Sequence, residues 1–335
     1  MLFRLSVSAF AALAASLVAV APAAAAEFYK GKTVTIMVPS GLGASMGLYA
    51  RLVGRAMEKT IPGKPTIIVQ SRPGAGGTKG TKYAYNVGPS DGTFIAQIAA
   101  GNVTLPVLRK VQYDVTKFQW LGSVTERPSV IWLWHTSPVN SIKDAMKTQA
   151  ILGSTGKGAG TYLWPTLINH MLGTKFKVVS GYKGGARINQ AAEQGEVNGR
   201  WSSYSGLSAS KRQWLQKKKV KVILQIGPYI PEQPQAPRIA DLVSGESKDI
   251  VNFMQLSERV GMAFWVRPEV PKDRVEILRT AFMKAMSDPA VQAEGAKRGA
   301  PINPIPGAKI NKMVAAAYQT PQATLRRIKT ILGFK

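Results

Sequence analysis

No cysteine occurs in the 335 residues, which removes disulfides, thiolate metal sites and cysteine nucleophiles together and leaves packing to stabilise the chain in any compartment. Histidine is nearly absent too. Only His135 and His170 are present, far apart and without a carboxylate cluster, so no metal site is expected. Acids are scarce: 18 Asp and Glu stand against 44 Lys and Arg, for a net charge of +26. After the first two dozen residues no run reaches the roughly 18 uninterrupted apolar residues of a membrane helix. A Walker A sequence is missing, and Gly41-Leu42-Gly43 lacks both the third glycine and the following acid of a dinucleotide fingerprint. No cofactor is therefore expected, and no internal repeat is visible.

The start of the chain reads as a leader. Arg4 supplies a short positive region, Leu5 to Val20 an apolar one, and Ala24-Ala25-Ala26 a small-residue cleavage site. A mature chain would begin at Glu27, after residues 1–26. With one of the 44 cations lost in the leader and all 18 acids kept, it would carry +25. Its length suits two domains. Most of the lysines read as a solvating surface, and the sharper reading of the excess charge is steering of a small acid. The longest basic run, Lys217-Lys218-Lys219, sits at a helix end, and no nucleic-acid module is recognisable, so nucleic acid is not an expected partner.

Short β-branched runs alternate with helical patterns. Strands are predicted at 33–38, 66–69, 94–98, 130–134, 150–153, 177–179, 220–226 and 261–266, each bounded by Gly or Pro. Leu48, Leu52, Val53 and Met57 form one helical stripe, and Val275, Leu278, Phe282 and Met286 another. Ser141 with Asp144 reads as a capping box, and Pro228 to Pro237 as a surface loop. The alternation predicts an α/β fold with helices on both faces of its sheets, a class that binds ligands at the carboxyl ends of the strands.

Three glycine-rich turns fall at such ends, at 34–47, 151–161 and 178–186. Each presents bare backbone N–H groups and a helix N-terminus, a combination suited to an anion. One rival reading uses the same residues. Gly43-Ala44-Ser45-Met46-Gly47 matches the G-x-S-x-G turn of a secreted serine hydrolase. A nucleophile there needs a histidine base, and the turn lies on the first strand of the mature chain, whereas the hydrolase elbow follows several strands. Ser45 reads better as a helix cap and hydroxyl donor, with no catalytic residue expected.

The stretch Gln70-Ser71-Arg72-Pro73-Gly74-Ala75-Gly76-Gly77-Thr78 resembles the N-R-P-G-A-G-G signature of the Bug family, periplasmic solute-binding proteins of tripartite tricarboxylate transport systems. Further matches follow in order: Pro39, Ala50-Arg51, Pro89-Ser90-Asp91-Gly92, Tyr113-Asp114 with Lys117 and Phe118, Gly153-Ser154-Thr155-Gly156 with Gly158, and Tyr182-Lys183-Gly184. The resemblance implies a two-domain flytrap of type II-like form, each domain a sheet flanked by helices. One domain would hold 27–129 and 255–335, the other 130–254. It also implies a periplasmic monomer without catalysis that takes a small organic anion, a di- or tricarboxylate or an aromatic acid, and presents it to membrane transporter subunits. By the same resemblance Ser40, Gly41, Gly43, Ala44 and Ser45 face Ser154, Thr155, Gly156, Gly158 and Thr161 across the ligand.

Departures from the family pattern sharpen these expectations. Gly47 stands where the family commonly has an aspartate, and Ser202, beside Arg200 and Trp201, stands at a second acidic position that would hold a ligand amine. A plain acid is therefore favoured over an amino acid. Tyr162, Trp164 and Trp201 are placed for an aromatic or long-chain ligand, although core burial is the ordinary fate of Trp164. Tyr182 and Lys183 are expected to open a helix, with Lys183 either meeting the anion or simply capping a surface.

Overall fold

The computed structural model describes residues 27–43, 45–99 and 101–334; the expected leader at 1–26 and Ala44 lie outside them. Two sheets carry the architecture. The first contains β1 (Thr33–Val38), β2 (Thr66–Ser71), β3 (Phe94–Gln97), β4 (Gln119–Ser123), β10 (Ala263–Val266) and β11 (Ile305–Pro306), in the order β11-β4-β10-β3-β1-β2. β1 runs parallel to β2 and β3, with Ile36 opposite Val69 and Ile95, while β10 is antiparallel to β3 and β4. The second contains β5 (Ser129–Trp134), β6 (Ala150–Ser154), β7 (Phe176–Ser180), β8 (Gly199–Ser203) and β9 (Val220–Ile226), ordered β7-β6-β8-β5-β9. The α/β class with helix-covered sheets is what the alternating pattern predicts.

Each sheet is covered on both faces. Over one face of the first lie α1 (Ser45–Thr60) and a long helix at Lys272–Met286, whose predicted stripes Leu52, Val53, Met57 and Val275, Leu278, Phe282, Met286 are buried against Ile36 and Val38. The other face packs Met37, Trp120 and Trp265 beneath α2 (Thr78–Asn86) and a helix at Gly307–Tyr318, with the rings of Phe118 and Trp265 stacked at 3.6 Å. On the second sheet α3 (Gly160–Leu172) covers Ile131 and Leu133, and α4 (Gly185–Glu193) covers Val130 and Trp132.

The expected capping box at 141–144 forms in part. Asp144 N–H donates to Ser141 Oγ at 3.1 Å, while the Asp144 carboxylate accepts from Asn140 N–H rather than from the cap residue itself. β4 and β8 were not among the predicted strands. β4 needs Gly122 because Phe282 lies against it, and a Cβ there would sit 2.6 Å from that ring. β8 reads Gly-Arg-Trp-Ser-Ser, too polar for a strand pattern.

The chain passes between the sheets at 124–128 and again at 255–262. These passages are tied to each other by Arg127 N–H to Glu258 O at 2.7 Å and Met262 N–H to Thr125 O at 3.0 Å. A third passage leads into the last helix, α5 (Gln322–Leu332). Leu325, Ile328 and Leu332 are buried with Leu163, Leu167 and Phe253 of the second lobe. Sequence reading grouped all of 255–335 with the first lobe; this helix packs on the second, and so does Leu108.

Candidate functional site

The lobes meet where their glycine turns come together. A Cβ built on Gly76 would lie 4.0 Å from the Gly158 carbonyl oxygen, and one on Gly101 would lie 3.9 Å from the same atom. The turn after β6 therefore faces both the Arg72–Gly77 turn and the turn after β3. Gly77 fixes this side. It holds φ +92, and a Cβ would lie 2.5 Å from that of Ala99 and 3.3 Å from Pro39 O, so the ends of β1 and β3 close directly onto it.

On the first lobe, Ser40 follows β1 and its carbonyl accepts from Ser71 Oγ at 2.8 Å. Gly41 and Gly43 are exposed and Ser45 is the first residue of α1. Gly47 explains the altered loop. The Leu42 carbonyl lies against its Cα where any side chain would project, and Arg51 Nη1 holds that carbonyl at 3.2 Å. The aspartate common at this position has no room while the loop folds back this way.

On the second lobe the hydroxyls build the loop. Ser154 is fully buried; its Oγ accepts from Gly156 N–H at 3.1 Å and lies 3.1 Å from Thr161 Oγ1, which in turn accepts from Thr155 N–H at 3.2 Å. Ser154 and Thr161 thus fix the turn, and the first-turn amides of α3, Gly160 and Thr161, have no helical acceptor of their own. Trp201 packs its ring against Gly160, where a Cβ would lie 2.8 Å away, and its Nε1 is buried without a hydrogen-bond partner among the described residues. Ser202 turns away, its Oγ accepting from the buried Trp132 Nε1 at 3.1 Å. Tyr182 and Lys183 do not open a helix. They lie in the turn before α4, where Tyr182 N–H donates to Ser154 O at 3.2 Å. Trp164 is buried with its Nε1 on Glu258 Oε1 at 3.0 Å, so it belongs to the floor between the lobes.

Sequence reasoning missed the charges on that floor. Glu258 is 2% exposed; its Oε1 takes Ser129 Oγ at 2.8 Å as well as Trp164, and burial pushes its carboxyl up to about 7. Arg127 donates to Ser203 Oγ at 3.3 Å and is lowered by burial, with Glu258 opposing. Arg200 is brought down to about 10, by burial first and by the Arg127 charge second. Arg109 lies beside the facing turns, its Nη2 3.7 Å from where a Gly158 Cβ would be. Only the shortage of acids hinted that cations would stand here unbalanced.

The hydrolase reading has no support in this geometry. His170 is engaged by Arg327 at 2.9 Å, and His135 follows the far end of β5 with its backbone on Lys219 and its ring on Trp134. Neither histidine bonds to Ser45 among the described residues, so the serine lacks the base that a nucleophile requires.

Comparison with known proteins agrees with this architecture. Residues 49–328 match the family model described as tripartite tricarboxylate transporter family receptor. A UPF0065 protein of Agrobacterium vitis is 26% identical over 328 residues, covering 93% of this chain and 86% of the relative. Among solved structures, periplasmic binding protein BugD is 23% identical with a TM-score of 0.68, covering 90% of this chain and 98% of the other. MatC from Rhodopseudomonas palustris with bound malate is 21% identical with a TM-score of 0.66, covering 90% and 99%. An R. palustris protein with adipate is 18% identical with a TM-score of 0.67, covering 90% and 97%.

Proposed function

The chain belongs to the tripartite tricarboxylate transporter family receptors, and from that premise we propose that it captures a small organic carboxylate between its lobes and delivers it unchanged to the membrane subunits of such a transporter. It does so in the periplasm, as a monomer released from its leader at Glu27. The observation that carries this reading is the meeting of Gly76, Gly101 and Gly158 across the lobes. Backbone without side chains lets an anion approach the amides closely, and the N-termini of α1 and α3 add two partial positive charges. Each hydrogen bond to a charged acceptor contributes roughly 1.5 to 3 kcal/mol, so a few donors from each lobe favour the closed state. The malate and adipate held by similar folds are the chemistry expected here.

A thermal-shift and calorimetry panel of mono-, di- and tricarboxylates on residues 27–335 tests this. At least one acid should raise the melting temperature and bind with one-to-one stoichiometry. A panel in which none does so would remove the carboxylate assignment. A fluorophosphonate probe should leave Ser45 unlabelled, and labelling abolished by Ser45→Ala would reinstate the hydrolase.

A further inference from the structure

Two guanidinium groups on the floor between the lobes have a buried Nε without a hydrogen-bond partner among the described residues. The Arg200 side chain makes no hydrogen bond or ion pair among the described residues, and its Nε is buried without a partner. Its head lies against Gly185, the first residue of α4; a Cβ there would be 2.9 Å from Cζ, so the guanidinium fills the space over that glycine. That places the cation at the start of a nine-residue helix, whose first amides are also unpaired and carry partial positive charge. Like charges gathered this way cost free energy unless something negative joins them.

Arg127 repeats the pattern from the crossing passage. Its one side-chain hydrogen bond goes to the neutral Ser203 Oγ, and its Nε is buried and unpartnered. Its charge, after burial, helps to lower the Arg200 guanidinium. Glu258 does not resolve this. It forms no ion pair within 4.0 Å among the described residues, it spends Oε1 on Ser129 and Trp164, and its environment favours the protonated form.

We propose that Arg200 and Arg127, with the turn that opens α4, form a second anion subsite that receives the far acidic group of a dianionic organic acid whose near carboxylate sits at the glycine turns. The proposal rests on the carboxylate reading above and narrows it to acids with two separated negative groups. It also accounts for one departure in the sequence: a serine at 202 in place of an acid removes a charge that would neutralise Arg200. Planar, five-donor guanidinium groups suit bidentate capture of a carboxylate.

The test pairs each dicarboxylate from succinate to adipate with its own monoamide, which keeps the near carboxylate and loses the far charge. By calorimetry on the full mature protein, the best dicarboxylate should bind at least about tenfold tighter than its monoamide. Arg200→Gln should erase that preference, weakening the dicarboxylate by roughly 10- to 100-fold while leaving the monoamide within about twofold. Arg200→Lys, which keeps the charge, should retain part of the preference and serves as the folding control alongside melting curves. Equal binding of diacid and monoamide by the natural protein, or a preference that survives both Arg200→Gln and Arg127→Gln, would overturn the subsite while leaving carboxylate capture standing. If no acid binds, both readings fall.

Discussion

Glu258 shows how one residue joins the lobes at an energetic cost. A carboxyl whose folded pKa of about 7 exceeds its ordinary 4.5 takes up a proton on folding. The stabilisation this gives is fully present below about pH 4.5 and is lost as pH rises through 7, on the order of 3 kcal/mol between the limits. Glu258→Gln keeps an oxygen for Ser129 and Trp164 and removes the titration. The natural protein should therefore lose melting temperature relative to the variant between about pH 5 and about pH 8, and parallel curves for the two would show that the carboxyl does not titrate in that window. Gly77 makes a different residue-scale point. Alanine there must hold φ +92 and push a methyl into Ala99 and Pro39, which should cost roughly 2 to 5 kcal/mol. A melting temperature within a degree or so of the natural protein's would mean that the turn relaxes and does not clamp β1 to β3.

At the scale of elements, the last helix is the informative one. α5 buries Leu325, Ile328 and Leu332 in the second lobe although the strand and helix before it belong to the first. Replacing Leu325 and Ile328 with alanine should cost about 2 to 5 kcal/mol each. The loss should appear as faster amide exchange in α3 and around Phe253, with β1 to β3 nearly unchanged; equal exchange in both lobes would mean that the helix is not a second-lobe element. Nothing in the sequence marks this placement, because an amphipathic stripe states that one face is buried and is silent about which neighbour buries it. Other elements were legible for equally physical reasons. β1, β3 and β9 are apolar runs bounded by turn residues, and the two long stripes of the first lobe keep a strict helical period. β8 was illegible because its residues are polar or bulky and bound to neighbours: Trp201 lies against Gly160, Ser202 accepts from Trp132 and Ser203 from Arg127, and a strand of such residues loses strand periodicity. The place of the 151–161 turn after a strand was legible, whereas its meeting with Gly76 and Gly101, outside the predicted turns, was not; Arg127 and Glu258 sit in stretches without pattern and meet only through the crossing passages.

At the scale of the whole molecule, the charge itself predicts a kinetic signature. Eight ion pairs occur among the described residues, each with at least one substantially exposed partner, while the sequence holds 44 cations and 18 acids. Most of the positive charge is therefore uncompensated and sets a long-range field around the molecule. Such a field acts on encounter, and it is screened within about 10 Å at 0.1 M salt. Once the lobes have closed, the ligand is shielded from added ions, and its release depends on hydrogen bonds that salt barely weakens. Raising salt from about 0.02 M to about 0.5 M should thus slow association with a dicarboxylate roughly tenfold and change dissociation by less than about twofold. Stopped-flow tryptophan fluorescence reads both rates, since Trp201 lies against the first turn of α3 and Trp164 on the cleft floor. Association indifferent to salt would reduce the positive surface to a solubility device. Dissociation that quickens in step with salt would mean that the ligand sits on an open surface, and capture between the lobes would then have to be abandoned.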